Sequence, residues 1–217
     1  MENFVPAEPD DPNSFGPNPN EYRNWGWSGG MDRKFCLYIS GQKKYTLLAM
    51  KRLLGEKEIR NKVSRLAGQI SRDFAGREVL LVGILKGAFI FMADLARKMD
   101  PPVKMDFVRL ASYGRGTISS GKVRITKDLE TSVKGKDVLI VEDIIDTGVT
   151  LKYLFRRLKA RRPRSLKTVT LLDKPSRRKV RFHADYVGFS IEDHFVVGYG
   201  LDWNEKFRNL PGIYVVK

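Results

Sequence analysis

One cysteine, Cys36, and two histidines stand in the 217 residues. An internal disulfide is therefore excluded, and no Cys/His cluster exists to hold zinc. Long hydrophobic runs are missing too. The longest apolar stretch is Val79-Leu80-Leu81-Val82-Gly83-Ile84-Leu85, far short of the roughly 20 residues that cross a bilayer. The N-terminus lacks the basic-then-apolar pattern of a secretory signal. No G-x-x-x-x-G-K-[ST] occurs, which excludes a Walker-type phosphate loop. These absences lead us to expect a soluble protein of a reducing cytoplasm, with no membrane partner.

What is present is ample core material and a one-sided charge. The chain is 42% hydrophobic and 30% charged, which rules out wholesale disorder. Its net charge is +15, unevenly spread. Residues 1–30 carry Glu2, Glu8, Asp10, Asp11 and Glu21 against Arg23 alone, a net −4, so the remainder holds +19. From Arg156 to Arg181, twelve basic residues face only Asp173. Such a field attracts polyanions, whether nucleic acid, phosphorylated metabolites or acidic headgroups. It is equally the composition of a solvated basic face without a ligand.

The first thirty residues hold Pro6, Pro9, Pro12, Pro17 and Pro19 with no apolar periodicity. We expect residues 1–44 to be a disordered or loosely packed extension and 45–217 to be the folded domain. Ile59, Val63, Leu66, Ala67 and Ile70 fall at helical spacing, and the run 79–85 reads as a buried strand. Ala88 to Met99 reads as a helix that must stop before Pro101-Pro102. Val103–Leu110, Val138–Val141, Ser165–Leu172, Tyr186–Ile191 and Phe195–Tyr199 read as strands, with a helix around Leu151–Leu158. Residues 112–121 form a Gly/Ser-rich loop. Strand–helix alternation with fully apolar strands predicts an α/β domain with a mostly parallel central sheet flanked by helices.

The most informative stretch runs from Val138 to Thr150. A buried strand ends in Glu142-Asp143, and Asp146-Thr147-Gly148-Val149-Thr150 opens a loop ahead of a helix. In open α/β sheets ligands sit outside the carboxyl ends of the strands. Backbone N–H groups at a helix start, with the Thr147 and Thr150 hydroxyls, suit a phosphate. Gly148 permits close backbone approach. The paired acids suit either the vicinal hydroxyls of a sugar or a hard cation such as magnesium. Asp146 or Thr147 as a simple helix cap is the alternative, but capping does not explain acids at 142, 143 and 146 together.

Glu142-Asp143-Ile144-Ile145-Asp146-Thr147-Gly148 resembles the phosphoribosyl-pyrophosphate (PRPP) signature of the type I phosphoribosyltransferases. Leu85-Lys86-Gly87 is similar to the loop that contacts pyrophosphate, and Ser112-Tyr113-Gly114 to the start of a mobile lid. Asp173-Lys174, the run Asp193 to Asp202, and Phe207-Arg208-Asn209-Leu210 extend the likeness. It covers roughly residues 56–217 and is most specific to the bacterial hypoxanthine-guanine members. The resemblance implies their fold, with a small hood over the purine site.

It also implies roles. Glu142 and Asp143 would hold the ribose hydroxyls, Asp146 would be the acid–base group at the purine N7, and residues 146–150 would bind the 5′-phosphate. Lys86, Gly87 and Arg208 would hold pyrophosphate. Lys174 would donate to the purine O6, Phe195 would stack on the ring, and the Val196 backbone would read the base edge. Asp202, placed with the purine-binding residues, would bind a magnesium ion also coordinated by the pyrophosphate, and Glu142 and Asp143 are the other candidate magnesium ligands. Val149 stands where some relatives carry lysine, so the phosphate clamp would rest on backbone groups. The implied substrates are PRPP with hypoxanthine or guanine, the products IMP or GMP and pyrophosphate, and the assembly a homodimer or homotetramer.

Each residue has a plainer reading. Lys174 alone is one more lysine in a basic stretch, Phe195 alone is core, Tyr113 alone is local packing, and His183 and His194 are exposed histidines. The rival function is a regulator of the same fold that binds RNA through the 156–181 surface. Asp146, Lys174 and the 112–121 loop favour the enzyme, since a pure binder has no need of them, and nucleic acid is not expected as a partner.

Overall fold

The computed structural model describes residues 33–37, 46–112 and 123–216. Helix α1 (Glu56–Asp73) buries Ile59, Val63, Leu66, Ala67 and Ile70, the row that its 3.6-residue period presents. It starts cleanly because the Glu58 carboxylate accepts the Gly55 N–H at 2.7 Å, which satisfies one of the orphan donors of the first turn. Strand β3 (Val79–Leu85) follows, then helix α2 (Phe89–Ala96) and strand β4 (Val103–Ser112). Strand β5 (Val123–Lys127) turns back on β4, and β6 (Asp137–Ile145), helix α3 (Val149–Lys159), β7 (Ser165–Asp173) and β8 (Tyr186–Ser190) complete the alternation.

These strands form one six-stranded sheet in the order β5-β4-β3-β6-β7-β8. All neighbours are parallel except the edge pair β4–β5. Both faces of the central strands are covered. Leu81, Leu139, Val141 and Leu171 pack against α1 and α2, while Leu80, Val82 and Ile140 pack beneath Leu154 and Leu158 of α3. Burial of each such side chain is worth about 1.5–3 kcal/mol, so these strands are apolar on both sides rather than alternating. The chain leaves β3 toward β4 on one side and β6 toward β7 on the other. The C-terminal ends of β3 and β6 therefore flank a topological switch point, where a ligand crevice opens.

Four further strands build the hood: β1 (Arg33–Leu37), β2 (Thr46–Leu54), β9 (Val196–Val197) and β10 (Ile213–Val216). They form an antiparallel sheet in the order β1-β2-β10-β9. The hood core is Met50, Val197 and Tyr214 with Trp203, Phe207 and Leu210 against them. β1 falls within the segment expected to be an extension and pairs with β2 through Phe35 and Leu48. Residues 1–32 and 38–44, the rest of that segment, lie outside the described residues.

Two expectations need adjusting. Glu142 and Asp143 do not follow the strand; they lie within β6, which runs on to Ile145. The strand expected at Phe195–Tyr199 is only Val196–Val197, because Gly198 (φ 100°), Tyr199 (φ 49°) and Gly200 (φ 101°) turn the chain sharply.

Candidate active site

The site starts where β3 ends. Gly87 lies so close to β6 that a Cβ there would stand 1.7 Å from Asp143 Oδ2. On its other side a Cβ at Gly200 would stand 2.1 Å from the Gly87 carbonyl. Three segments, the β3–α2 loop, β6 and the hood turn, thus meet only because two side chains are absent.

Asp143 lies at this junction, and its carboxyl and that of Glu142 are close enough to interact. Asp143 is 8% exposed, and its Oδ1 accepts the Ile144 N–H at 2.9 Å. Burial drives the Glu142 carboxyl well above its ordinary value, and the neighbouring Asp143 adds to it. Burial also raises Asp143, while the nearby Arg208 guanidinium pulls the other way. Glu142 Oε2 is buried without a hydrogen-bond partner. An orphaned buried oxygen of this kind calls for a donor or a cation. Vicinal hydroxyls meet that need, and so does a hard cation with oxygen ligands.

Asp202 does not join these two acids. Its Oδ1 takes Arg208 Nη2 at 2.8 Å and its Oδ2 takes the Glu205 N–H at 2.8 Å. Among the described residues no group of three or more carboxylate, histidine or cysteine side chains is arranged to hold a metal. Glu142, Asp143 and Asp202 are thus not gathered into one preformed cage. Magnesium needs none, since it binds through one or two carboxylates and takes its other ligands from phosphates and water.

Beyond β6 the chain turns through Asp146, Thr147 and Gly148 into α3. Gly148 has φ 78° and is the N-cap residue, so Asp146 does not cap the helix. Its carboxylate is instead reached by Arg177, whose Nε donates to Oδ1 at 3.1 Å. Arg178 holds the loop from below: it donates to the Asp146 carbonyl and to the Asp173 carboxylate. The Lys179 N–H adds a bond to the Thr147 carbonyl at 3.0 Å. Val149 and Thr150 begin α3; the Val149 N–H donates to Thr147 Oγ1 at 3.4 Å, and the N–H groups of this first turn point where a phosphate is suited.

The register of β6 with β7 pairs Ile145 with Asp173, so Asp146 and Lys174 leave their strands side by side. Lys174 is no surface lysine. It is 7% exposed, with Nζ 2.5 Å from the His194 carbonyl and 3.6 Å from Asp193 Oδ1. Phe195 is not core either: at 54% exposed it presents a bare ring. Val196 follows in β9, the edge strand of the hood, where one side of the backbone has no strand neighbour among the described residues.

At the crevice's other end, Arg208 Nη1 donates to the Gly200 carbonyl at 2.7 Å, and its Nε is buried without a partner. Lys86 Nζ lies 2.7 Å from Glu205 Oε2, and that oxygen also sits 3.4 Å from Arg208 Nη2. Glu205 escaped the sequence reading, as did the contact of Arg177 with Asp146. Only spatial proximity across 119 and 31 residues reveals them. Ser112 ends β4; Tyr113 and the rest of the 112–121 loop lie outside the described residues.

The basic stretch is less free than its composition implies. Arg161 pairs with Asp128, Arg164 with Asp137, Lys167 with Asp73, Arg177 with Asp146 and Arg178 with Asp173. Much of this charge holds the fold and the site together.

Residues 50–204 match the family model of the phosphoribosyl transferase domain. The chain belongs to the phosphoribosyltransferase family. Within that family it is 52% identical to the hypoxanthine-guanine phosphoribosyltransferase of Bacillus subtilis over 165 residues, 76% of this chain and 92% of that protein. It is also 52% identical, over 85% of its length, to the bifunctional protein TilS/HprT of Listeria monocytogenes, of which it spans only 28%. A crystal structure of the hypoxanthine phosphoribosyltransferase of Staphylococcus aureus superposes with a TM-score of 0.75 at 49% identity, covering 77% of this chain and 91% of that one. Phosphoribosyltransferase membership accounts for the parallel sheet, the switch-point crevice and the hood together.

Proposed function

We propose that this phosphoribosyltransferase transfers the 5-phosphoribosyl group from PRPP to N9 of hypoxanthine or guanine, giving IMP or GMP and pyrophosphate. The carrying observation is the pair Asp146 and Lys174 at adjacent strand ends beside the orphaned Glu142 carboxylate. The likeness to hypoxanthine-guanine enzymes supports the choice of base.

The N–H groups of residues 147–150 bind the 5′-phosphate, and Glu142 and Asp143 accept the ribose hydroxyls. Lys174 donates to O6 of the base, the Phe195 ring stacks on it, and the edge strand at Val196 meets its rim. Lys86 and Arg208 hold the pyrophosphate. In the reaction the bond from C1′ to the pyrophosphate oxygen breaks, the bond from C1′ to N9 forms, and the purine gives up one N–H proton. Asp146, beside N7, accepts or polarises that proton; in reverse its protonated form assists departure of the base. As the C1′–O bond opens, positive charge develops on the ribose, and the acids of β6 stabilise it. Glu142 and Asp143, with Asp202 beside Arg208, would supply oxygen ligands to a magnesium ion, which would contribute positive charge toward the leaving pyrophosphate. Ser112 and Tyr113 open the lid that excludes water.

We place the domain at residues 45–217, with β1 joined to its hood through β2, and its activity in the cytoplasm. Its assembly is a homodimer or homotetramer, for which the exposed Phe89 and Met105 offer apolar contact surface. The test is pyrophosphate release from PRPP with hypoxanthine, guanine and xanthine in turn, alongside RNA filter binding. PRPP-dependent turnover on the first two bases is expected. RNA retention without turnover overturns the reading in favour of a regulator.

A further inference from the structure

Arg177 stands in a run that reads as solvated basic surface, yet two acids hold it. Its Nε donates to Asp146 Oδ1 at 3.1 Å, and its Nη1 lies 3.5 Å from Asp193 Oδ2. Asp193 Oδ1 in turn lies 3.6 Å from Lys174 Nζ. Charge alternates along this row: Asp146, Arg177, Asp193, Lys174. Its two ends are the groups that face N7 and O6 in the transferase reading. Those two acceptors share one edge of a 6-oxopurine, so the spacing of Asp146 and Lys174 has to match the spacing of the two atoms. The row connects them from outside the substrate.

A carboxylate torsion is broad and two-fold, so an unheld Asp146 presents either oxygen in many orientations. With Oδ1 taken by Arg177, Oδ2 is left for the base. The two arginines divide the work, since Arg178 grips the Asp146 backbone carbonyl and Arg177 the side chain. We propose that Arg177, braced by Asp193, is a positioning residue that orients the Asp146 carboxylate toward N7 and sets its distance from Lys174. This rests on the transferase reading and goes beyond it: a specificity device lies outside the PRPP and base contacts, in residues that touch neither.

The test is steady-state kinetics of the full chain with hypoxanthine and PRPP for Arg177→Ala, Arg177→Lys, Asp193→Asn and the Arg177→Ala/Asp193→Asn pair. Arg181→Ala is the control from the same basic stretch. The ion pair is half exposed, so the effect is modest: Arg177→Ala is expected to lower kcat about five- to tenfold and change the PRPP KM less than about twofold. Arg177→Lys recovers part of the loss, because an ammonium reaches Asp146 but lacks the fork that also reaches Asp193. Asp193→Asn raises the hypoxanthine KM, and the pair loses less kcat/KM than the product of the single losses. Arg181→Ala is unchanged. Wild-type kcat in Arg177→Ala, a matching rise in PRPP KM, or strictly multiplicative losses in the pair overturns the proposal while leaving the transferase reading intact. Absence of turnover in the unaltered chain overturns both.

Discussion

Glu205 Oε2 sits 2.7 Å from Lys86 Nζ and reaches Arg208 as well, so one carboxylate holds both cations that we propose bind pyrophosphate. The Lys86 hydrogen bond keeps Glu205 below the usual carboxylate range, which maintains its charge. An incoming pyrophosphate has to displace this anion. Glu205→Gln keeps the shape and removes the competing charge. We expect the KM for pyrophosphate in the reverse reaction to fall about two- to fivefold, with kcat little changed. A rise in that KM would show that Glu205 positions the cations instead of competing for them.

Lys174 is buried with a carbonyl as its nearest partner, and in the proposed function the base O6 is its second acceptor. Lys174→Ala should raise the KM for hypoxanthine roughly ten- to a hundredfold, since a hydrogen bond to a charged group is worth about 1.5–3 kcal/mol. The KM for PRPP should hold. Equal changes in both would mean that the substitution disturbs the whole crevice and not the base contact.

At the opposite end of β6, Asp137 is fully buried and accepts from Arg164, from Ser165 Oγ at 2.6 Å and from Arg77. The Arg164 hydrogen bond lowers its carboxyl, against the opposing effect of burial. A depressed carboxyl stabilises the fold at every pH above its unfolded value of about 3.9, and the contribution disappears as pH falls through the folded value. Asp137→Asn is expected to cost about 3 kcal/mol at pH 7, and its melting temperature should fall less steeply below pH 4 than that of the wild type. Parallel acid limbs would contradict this.

A chain beginning at Met31 retains β1 and the whole hood. It should keep kcat and melt within about 2 °C of the full chain, because acidic, proline-rich sequence of this kind adds little to a core. Loss of either would assign the first thirty residues a structural part.

The helices and central strands were legible because their signal is local. The apolar row of α1 and the continuous apolar runs of β3, β6 and β7 announce themselves within a dozen residues. The hood was not. Thr46–Leu54 mixes Lys51 and Arg52 with leucines, and it becomes a strand by pairing with Ile213–Val216 at the far end of the chain. The PRPP loop was legible as a motif, but its supports were not. Arg177, Arg178 and Glu205 look like any charged surface residues until the fold brings them to Asp146 and Lys86.

The central claim is that Asp146 is the acid–base group, and Asp146→Asn tests it most directly. Asparagine keeps the size of the side chain and an oxygen for Arg177 Nε, while Gly148 remains the N-cap and Arg178 still holds the backbone carbonyl. Only charge and basicity are lost. Positioned acid–base groups contribute about 10²–10⁴-fold. We expect kcat for IMP formation to fall by that range, with the KM for PRPP nearly unchanged, because backbone N–H groups bind its 5′-phosphate. Turnover of Asp146→Asn at the wild-type rate would contradict the account.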